Sequence, residues 1–355
     1  MAVVQDPTRL AELIRSWALT LGFADARSAS LDLDEDLQHL EHWLDQGYHG
    51  DMQYMAADPA MRADPSKLRP GTVSVISLRM DYLQDSIAAS RSQLERPEGA
   101  YVARYALGRD YHKLIRKRLK QLAERISSEI APHGYRVLTD SAPSLEKALA
   151  RNARLGWIGK NTLLLNRDAG SMFFLGEIYT DFPLPPLDPT PPSSHCGSCQ
   201  ACLDICPTKA FTGPYQLDAR RCIAYLTIEN KGAIPEELRA PMGNRIFGCD
   251  DCQLVCPWNR YAQTSPVSDF EPRHDLATAE LLTLWRWTEA EFLQRTEGMA
   301  LRRAGWHGWL RNLAVALGNA PKSPAVASAL QDRAEFPDAM VREHVHWAQQ
   351  RQREN

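Results

Sequence analysis

The most restrictive feature of this sequence is the distribution of its cysteines. The chain has 355 residues, and all eight of its cysteines lie between Cys196 and Cys256. A disulfide framework is typical of small secreted domains, which a chain of this length and composition does not resemble. Cysteines clustered in this way inside a reducing compartment usually bind metal. The segment therefore predicts a metal-binding module.

The spacing of the cysteines indicates which metal group they bind. Residues 195–210, HCGSCQACLDICPTKA, follow the C-x2-C-x2-C-x3-C-P pattern of bacterial two-cluster ferredoxins, in which the fourth cysteine binds the other cluster. Residues 248–259, GCDDCQLVCPWN, contain three more cysteines and a matching proline, so Cys222 completes the second set. The spacing assigns one [4Fe–4S] cluster to Cys196, Cys199, Cys202 and Cys256, and the other to Cys206, Cys222, Cys249 and Cys252. Two structural zinc sites are the alternative, but zinc requires neither the C-P ending nor three closely spaced thiolates.

The composition is that of an ordinary globular protein and excludes a disordered or collagen-like chain. Hydrophobic residues make up 44% of the sequence and charged residues 24%, which suits two or three domains. A net charge of -3 argues against a general nucleic-acid binder, although a local basic patch remains compatible with RNA. Asp6 and Arg9 interrupt the N-terminal stretch, and no apolar run reaches the ~18 residues that cross a bilayer. We therefore expect a cytoplasmic protein without membrane contact.

The order of predicted elements indicates an α+β chain of three domains. Residues 1–190 form a mixed α/β domain, 191–272 a ferredoxin-like module with two [4Fe–4S] clusters, and 273–355 a small all-helical domain with HEAT-like helix pairs. The Pro-rich segment 183–194 marks the first boundary, because prolines at this density favour an extended linker.

Hydrophobic periodicity and turn residues predict the elements of the first domain. They are a helix from Asp6-Pro7, strands over 72–78 and 136–139, a basic helix over 105–126, a helix over 144–156, and a hairpin of 162–166 with 171–180. The basic helix is either an ordinary solvated surface or a patch that faces phosphates. Near the C-terminus, Arg302, Arg303 and Arg311 lie beside Trp306 and Trp309. This group either contacts RNA or packs in the core with its arginines extended to solvent.

Several further stretches, all in one order along the chain, resemble the epoxyqueuosine reductase family. They are YMAADPAMRADPSKLRPG (54–71), ARYALGRDYHK (103–113), TDSAPSLEKALA (139–150), GWIGKNTLLLN (156–166), GSMFFLGEI (170–178) and GWLRNLAVALGNAP (308–321). The resemblance implies an iron–sulfur and cobalamin oxidoreductase that reduces epoxyqueuosine to queuosine at the wobble position of tRNA. It also implies that cobalamin lies between the N-terminal and cluster domains. An external one-electron donor, such as a flavodoxin or ferredoxin, would reduce the clusters, which in turn would reduce cobalamin.

The family uses an aspartate as proton donor, and the TDSAP stretch places that residue at Asp140. A loop carboxylate that follows a strand can reach a ligand held by a rigid scaffold. The alternative is that Asp140 caps the helix that begins near Ser144. To carry a proton near neutral pH, Asp140 needs a raised pKa, which desolvation under the corrin and the substrate base would provide.

The resemblance also implies contacts with cobalamin and with tRNA. The cobalamin contacts are Arg62, Ala103, Asp140, Leu164, Leu175, Ala224, Asp250 and Asp251, and the tRNA contacts are Thr227 and Lys231. Lys160 and Asn161 are further candidates, although turn formation explains them equally well. The D-x-H-x-x-G signature of methyltransferase-type corrin domains begins at Asp110 but lacks its glycine. We therefore expect cobalamin in a base-off form or without a protein histidine on cobalt, and we interpret His112 as an ordinary helix residue.

Three other classes of protein share parts of this pattern. A reductive dehalogenase also combines clusters with a corrin, but such enzymes usually carry an export signal. A non-catalytic electron carrier needs no corrin pocket, and an RNA-binding maturation factor would bind tRNA without reducing it. We expect a tRNA-binding monomer.

Overall fold

The computed structural model describes residues 6–188, 190 and 192–354. The helices are α1 (Pro7–Thr20), α2 (Asp34–Asp45), α3 (Gln53–Ala56), α4 (Pro59–Ala63), α5 (Pro65–Leu68), α6 (Ile87–Glu95), α7 (Tyr111–Glu129), α8 (Glu146–Asn152), α9 (Ala201–Asp204), α10 (Ile223–Ile228), α11 (Glu236–Arg239), α12 (Asp251–Leu254), α13 (Leu281–Trp285), α14 (Glu289–Arg295), α15 (Gly305–Asn319), α16 (Pro324–Gln331) and α17 (Ala339–Glu354). The strands are β1 (Asp25–Ala29), β2 (Ser74–Asp81), β3 (Tyr101–Val102), β4 (Tyr135–Leu138), β5 (Trp157–Ile158), β6 (Leu164–Leu165), β7 (Phe173–Thr180), β8 (Phe211–Gly213), β9 (Gln216–Leu217) and β10 (Arg245–Phe247). Short 3-10 helices cover Arg104–Ala106, Ala219–Arg221, Pro257–Tyr261, Ser268–Phe270 and Ala300–Ala304.

The N-terminal region is built on a four-stranded antiparallel sheet with strand order β1-β2-β7-β4. The two central strands, β2 and β7, are almost entirely buried on both faces. Helix α7 packs on one face with Ile115 and Leu119, and α8 packs on the other with Leu149. The sheet is therefore a rigid layer between two helical layers, and the ends of its strands are held in fixed positions.

The sequence predicts most elements of this region, but the hairpin prediction is wrong. Strand β6 pairs with β5, whereas β7 pairs with β2 and β4. Only a single bridge joins Asn166 to Gly170 across the predicted turn. The reason is burial. Strand β7 has eight residues and is buried on both faces, so pairing on both sides in the centre of the sheet stabilises it more than pairing with the two-residue β6 would.

Two helices are shorter than predicted. Helix α7 begins at Tyr111 rather than at residue 105, because Asp110 caps it by accepting a hydrogen bond from the backbone N–H of His112 at 3.0 Å. Helix α8 spans Glu146–Asn152 instead of 144–156, and Arg154 beyond its end has a left-handed φ of 59°. Helix α1 begins as predicted, with Asp6 as its cap.

The C-terminal helices share one apolar core with the segment that carries the second cysteine run. Helix α15 packs against α17, α13, α10 and β10, and its Trp309 and Arg311 are 0% and 1% exposed. The guanidinium of Arg311 donates to the carbonyl oxygens of Leu226, Asn230 and Gly232. Of the predicted Arg/Trp group, Arg311 and both tryptophans are thus core residues, and Arg302 and Arg303 are exposed.

The Pro-rich segment runs along the N-terminal sheet over its described part. The Leu184 backbone accepts a hydrogen bond from Ser28 and donates one to Ser74, and Arg154 pairs with Asp188 at 2.6 Å. Residues 189 and 191 of the predicted linker lie outside the described residues. In the part of the chain that the structure describes, every helix is too short or too polar to cross a membrane.

Candidate active site

Asp140 lies at the end of β4, where its carboxylate faces the first turn of α7. Its Oδ2 atom accepts hydrogen bonds from the hydroxyl of Tyr111 and from Nε2 of His112, the latter at 3.1 Å. About half of the side chain remains available to a ligand, since 60% of it is exposed. Asp140 has a left-handed φ of 54°, which a non-glycine residue adopts only when neighbouring contacts hold it there. The sequence predicts Asp140 in a loop, either as a proton donor or as a helix cap. In the structure its side chain accepts hydrogen bonds from Tyr111 and His112 and does not cap α8.

His112 joins Asp140 to a second carboxylate. Its Nδ1 atom lies 2.6 Å from Oδ1 of Asp110, and its Nε2 atom lies 3.1 Å from Asp140. Burial lowers the pKa of His112, but the hydrogen bonds to Asp110 and Asp140 outweigh it and raise the pKa to about 9. At neutral pH the imidazole therefore carries a proton on each nitrogen.

The pKa of Asp140 in the protein alone lies below its ordinary value, and the predicted rise depends on desolvation by the corrin and the substrate base. Burial does raise it, but the hydrogen bonds from His112 and Tyr111 and the positive charge of Arg303 have the larger combined effect. In this structure the exchangeable proton of the pair is therefore on His112 and the negative charge is on Asp140. Sequence reasoning missed this arrangement, because it dismissed His112 once the corrin signature failed.

A second group of polar side chains faces Asp140 from the cluster-bearing and C-terminal parts of the chain. Arg303 makes a bidentate ion pair with Glu229, with nitrogen–oxygen distances of 2.6 and 2.9 Å. Burial, Glu229 and Asp140 together raise the pKa of the Tyr54 hydroxyl, so this tyrosine lies near both carboxylates. The predicted RNA residue Lys231 donates to the carbonyl oxygens of Ile228 and Arg303. Charges of both signs thus surround Asp140, and the region between Asp140, Tyr54, Glu229 and Arg303 is called the cleft below.

The first predicted cysteine set lines one cavity. Cys196, Cys199, Cys202 and Cys256 surround it together with Lys160, Asn161, His195, Trp258 and Arg260. Lys160 donates to the carbonyl oxygens of Gly197 and Cys199, at 2.7 and 3.0 Å. Its side chain therefore fixes the loop that carries the first cysteine run, in addition to any part Lys160 has in its own turn. Cys199 is exposed, which places this cavity at the surface.

The second predicted set is more enclosed. Burial raises the pKa values of Cys222, Cys249 and Cys252, and the charge of a neighbouring thiol of the same set raises each further. Cys206 lies beside Cys222, and Cys202 of the first set lies near Cys252. Members of each predicted set thus lie near one another and the two sets adjoin, while the assignment of the eight cysteines to two clusters stays a prediction. Among the described residues, no three His, Cys, Asp or Glu side chains converge closely enough to hold a single metal ion.

The residues predicted to contact cobalamin lie in two parts of the molecule. On the N-terminal side, Leu164 and Leu175 belong to the apolar cluster beneath α8, and the Leu175 carbonyl accepts from Thr139 at 2.7 Å. On the other side, Gly248 approaches Ala103 so closely that a Cβ atom would lie 2.6 Å from the Ala103 Cβ. Tyr105 connects the groups: burial raises its pKa, and both Asp140 and Asp250 raise it further.

The predicted cobalamin contacts differ in whether their side chains are free to bind a ligand. Asp250 accepts from the Tyr101 hydroxyl and the Arg104 backbone, both at 2.8 Å, and Asp251 is paired with Arg245. Contacts of Ala103, Ala224, Asp250 or Asp251 with a ligand would therefore use backbone atoms. Arg62 is different, because it is 6% exposed and its Nε atom has no partner among the described residues. A corrin carries amide side chains around its rim, and an unpaired buried N–H donor fits such a group.

Thr227 is completely buried, so its side chain faces the protein rather than an RNA. Its hydroxyl donates to the Ile223 carbonyl at 2.7 Å and accepts from the Gly248 backbone N–H at 2.9 Å. Thr227 thus holds the close approach of Gly248 to Ala103. Glu146 and Glu177, which no sequence argument singled out, lie directly behind Asp140. Their only signal is the position of Glu146 six residues after Asp140 in the chain.

The molecule combines a His112–Asp140 pair that can carry a proton with two adjoining groups of thiols. This combination is that of a redox enzyme of the double-cluster iron–sulfur class. The family model of the 4Fe-4S double cluster binding domain matches residues 195–259, which favours iron–sulfur clusters over the zinc alternative. The model of epoxyqueuosine reductase QueG matches residues 62–141.

Whole-chain relatives extend these matches. The epoxyqueuosine reductase of Pseudomonas aeruginosa is 62% identical over 346 residues, which cover 98% of this chain and 95% of the relative. That of Escherichia coli K12 is 53% identical over 353 residues, or 99% and 92% of the two chains. The chain belongs to the epoxyqueuosine reductase family, the oxidoreductases of queuosine synthesis that reduce epoxyqueuosine. This membership sets aside the dehalogenase, electron-carrier and maturation-factor alternatives.

Solved structures show the same fold. An epoxyqueuosine reductase bound to an epoxyqueuosine-modified tRNA-Tyr stem loop superposes with a TM-score of 0.88 at 28% identity, covering 98% of this chain and 91% of that one. The enzyme from Bacillus subtilis, with its catalytic aspartate loop swung out of the active site, gives a TM-score of 0.86 at 29% identity and the same coverage.

Proposed function

We propose that Asp140 delivers the proton that this reduction requires and that His112 supplies it. Converting an epoxide to an alkene and water consumes two electrons and two protons, and the departing oxygen leaves readily only when it is protonated. The observation that carries the proposal is the hydrogen-bonded chain Asp110–His112–Asp140, whose last carboxylate faces the cleft. General acid help of this kind is worth about 10²–10⁴-fold in rate.

Two opposing effects decide whether His112 or Asp140 carries the proton. While the cleft is open, the ion pair with Asp110 keeps His112 charged, and Asp140 stays ionised. When a substrate base covers Asp140, desolvation raises the Asp140 pKa, and the shared proton moves from Nε2 of His112 to Oδ2 of Asp140. The carboxyl group then protonates the departing oxygen, and Tyr111 holds the carboxyl in position throughout.

We further propose that the cleft between Asp140 and the cluster module holds cobalamin. The support is the unpaired Nε of buried Arg62 and the close approach of Gly248 to Ala103, two residues next to the predicted contacts of the cluster module. When bound there, cobalamin would supply the reducing metal centre beside the substrate. His112 would not serve as a metal ligand there, because both of its ring nitrogens are already hydrogen-bonded to carboxylates.

We propose that electrons enter through the cluster held by Cys196, Cys199, Cys202 and Cys256. Its cavity opens to the surface at Cys199 and is lined by Lys160 and Arg260, which suit an acidic donor such as a flavodoxin or ferredoxin. The cluster held by Cys206, Cys222, Cys249 and Cys252 lies deeper, next to the Asp250 backbone that borders the cleft. The order from surface to cleft supports an electron path through the first cluster to the second.

The substrate we propose is a tRNA anticodon loop whose modified base is turned out into the cleft. A relative in this family has been solved with such a modified stem loop. Here, α7 starts at the Asp140 site and carries Lys113, Arg116, Lys117 and Lys120 on its exposed surface. These side chains are placed to contact the phosphates on either side of an inserted base, and sequence-specific RNA recognition commonly uses such splayed bases.

The test is an anaerobic turnover assay with reductant, cobalamin and tRNA that bears epoxyqueuosine. Digested nucleosides are analysed by mass spectrometry for loss of one oxygen atom. Wild type should convert the base only when cobalamin is present. Asp140→Asn should bind cobalamin and tRNA normally but convert the base about 10²–10⁴-fold more slowly. Wild-type turnover by Asp140→Asn, with cobalamin bound, would remove Asp140 from the reaction.

A further inference from the structure

A pair of carboxyl groups lies directly behind the Asp140 loop and does not face the cleft. Glu146, the first residue of α8, accepts a hydrogen bond from the backbone N–H of Asp140. Glu177 is in the middle of β7, opposite Ser77 of β2, and is 0% exposed. The Glu146 and Glu177 carboxyl groups are neighbours, since each shifts the pKa of the other, and α8 packs on β7. The chain thus connects the sheet interior, through two carboxyls, to the backbone of Asp140.

The surroundings of Glu177 require that this pair keeps a proton. The Oε1 atom of Glu177 lies 3.5 Å from the Ser77 hydroxyl. Among the described residues, no N–H or O–H group donates a hydrogen bond to its Oε2 atom. Two carboxylates in contact cannot both be ionised inside a sheet, so a proton between them satisfies the orphaned oxygen. The nearest cation by sequence, Lys147, donates instead to the Thr162 carbonyl at 2.8 Å.

The effect of the pair on Asp140 follows from the backbone. The left-handed conformation of Asp140 is unfavourable for a residue with a Cβ atom, so something must hold it. The Asp140 N–H is fixed by Glu146, and the adjoining Ser141 N–H by the Thr139 carbonyl at 2.7 Å. With the backbone fixed in this way, the Asp140 carboxylate points at His112 and Tyr111.

We propose that Glu146 and Glu177 form a protonated latch that positions the Asp140 loop for proton transfer. Glu177 donates its O–H to Glu146, and Glu146 accepts the Asp140 N–H. The proposal rests on the proposed role of Asp140 as proton donor. Both glutamates are positioning residues, since neither touches the cleft.

The latch should weaken as Glu146 ionises. Burial and the charge of Asp140 raise the pKa of Glu146 to about 8, and burial and Glu146 raise that of Glu177 well above its ordinary value. The groups that face the pair are Asp140 and His112 from the loop and α7, Lys147 from α8, and Tyr179 and Ser77 from the sheet. Above about pH 8 Glu146 would ionise while Glu177 keeps its proton, and the negative charge of Glu146 would repel the Asp140 carboxylate and loosen the loop.

The decisive variants are Glu146→Ala, Glu146→Gln and Glu177→Gln in the full chain with its clusters and cobalamin. Glu146→Ala removes the acceptor of the Asp140 N–H, so kcat should fall about 10–100-fold, the usual effect of a displaced catalytic group. The Kd for tRNA should stay within about twofold, because the latch lies outside the cleft. Glu146→Gln keeps an oxygen at the same place and should recover most of kcat. Because Glu146→Gln cannot ionise, its kcat should decline less between pH 7 and pH 9 than that of wild type. Glu177→Gln leaves Glu146 able to ionise and should keep the alkaline decline.

The readout that a merely structural role would not change is hydrogen exchange at the Asp140 amide. It should be protected in wild type and Glu146→Gln and exposed in Glu146→Ala. Glu95→Ala, an exposed glutamate on α6, is the matched control and should match wild type throughout. The latch is refuted if Glu146→Ala keeps wild-type kcat while Asp140→Ala is inactive, or if Glu146→Gln reproduces the wild-type alkaline decline. Activity of Asp140→Ala would instead overturn the proton-donor proposal, and the latch with it. If Glu146→Ala fails to fold, the pH profile of Glu146→Gln decides alone.

Discussion

Replacing His112 with glutamine tests the proton source directly. The change removes the imidazolium that bridges Asp110 and Asp140 but leaves a neutral side chain of similar length. With a pKa of about 9, His112 is about 99% charged at pH 7. We expect kcat to fall about 10²-fold at pH 7, the lower part of the range for general acid–base help, because Asp140 remains but is no longer supplied with a proton.

The same substitution has a stability effect whose pH dependence follows from the structure. A rise from the ordinary pKa of 6.5 to about 9 corresponds to about 3 kcal/mol of preference for the charged imidazole. Solvent at the exposed side of Asp140 reduces this to about 2 kcal/mol. Because the folded pKa is raised, the stabilisation is fully present below about pH 6.5 and is lost as the pH rises through about 9. Wild type should therefore melt several degrees above His112→Gln at pH 6 and at the same temperature above pH 9.5.

The assay combines single-turnover reduction with thermal unfolding, each measured from pH 6 to pH 10. His39→Gln, an exposed histidine on α2, serves as the control and should change neither measurement. Two results would refute the reasoning. One is a difference in melting temperature that stays constant with pH, and the other is full turnover by His112→Gln at pH 7.

Three further predictions concern other parts of the site. Tyr111→Phe removes one of the donors that lower the Asp140 pKa, so a ligand-free titration of Asp140 by NMR should give a higher value than in wild type, and an unchanged value would contradict the assigned bond. Lys117→Glu on α7 should weaken tRNA binding and reduce the slope of log Kd against log salt concentration by about 1–2. Lys322→Glu, at an exposed position elsewhere, should leave the slope unchanged. Equal slopes for the two variants would exclude α7 from the RNA surface. Cys222→Ala should halve the iron content and keep the electron paramagnetic resonance signal of the surface cluster, and loss of all iron would show that the two clusters do not form independently.

The parts of the site that the sequence predicts are those encoded by local spacing. The two cysteine runs follow short spacings, so an iron–sulfur module can be predicted from the chain without knowing the fold, and the family model of a 4Fe-4S double cluster domain agrees. Asp140 is predicted through a local motif as well, and its role stays a proposal. The Pro-Gly turn before β2 and the Asp6 cap of α1 are similar cases, because one or two adjacent residues determine the backbone there.

The parts that the sequence did not predict depend on which strands become neighbours. The local Arg-Asp-Ala-Gly turn favoured a hairpin, but the pairing of β7 with β2 and β4 requires long-range contacts that leave no periodic signal. That pairing places Glu177 behind Glu146, although 31 positions separate them in the sequence. His112 was misjudged for the same reason: it lies 28 residues before Asp140, and only the packing of α7 on the sheet brings them together.

The C-terminal helices contribute to the cleft without entering it. On α15, the guanidinium of Arg311 binds three carbonyl groups of the 226–232 segment, and Asn312 donates to the carbonyls of Thr227 and Ile246 at 2.8 and 2.9 Å. That segment carries Glu229, whose partner Arg303 lies just before α15. Buried charged groups are retained where their hydrogen bonds define one arrangement, and here that arrangement fixes the cleft wall opposite Asp140. Of the two alternatives that the sequence left open for this region, RNA contact or core packing, Arg311 and both tryptophans follow core packing, and through Glu229 and Arg303 that packing supports the side of the cleft opposite Asp140.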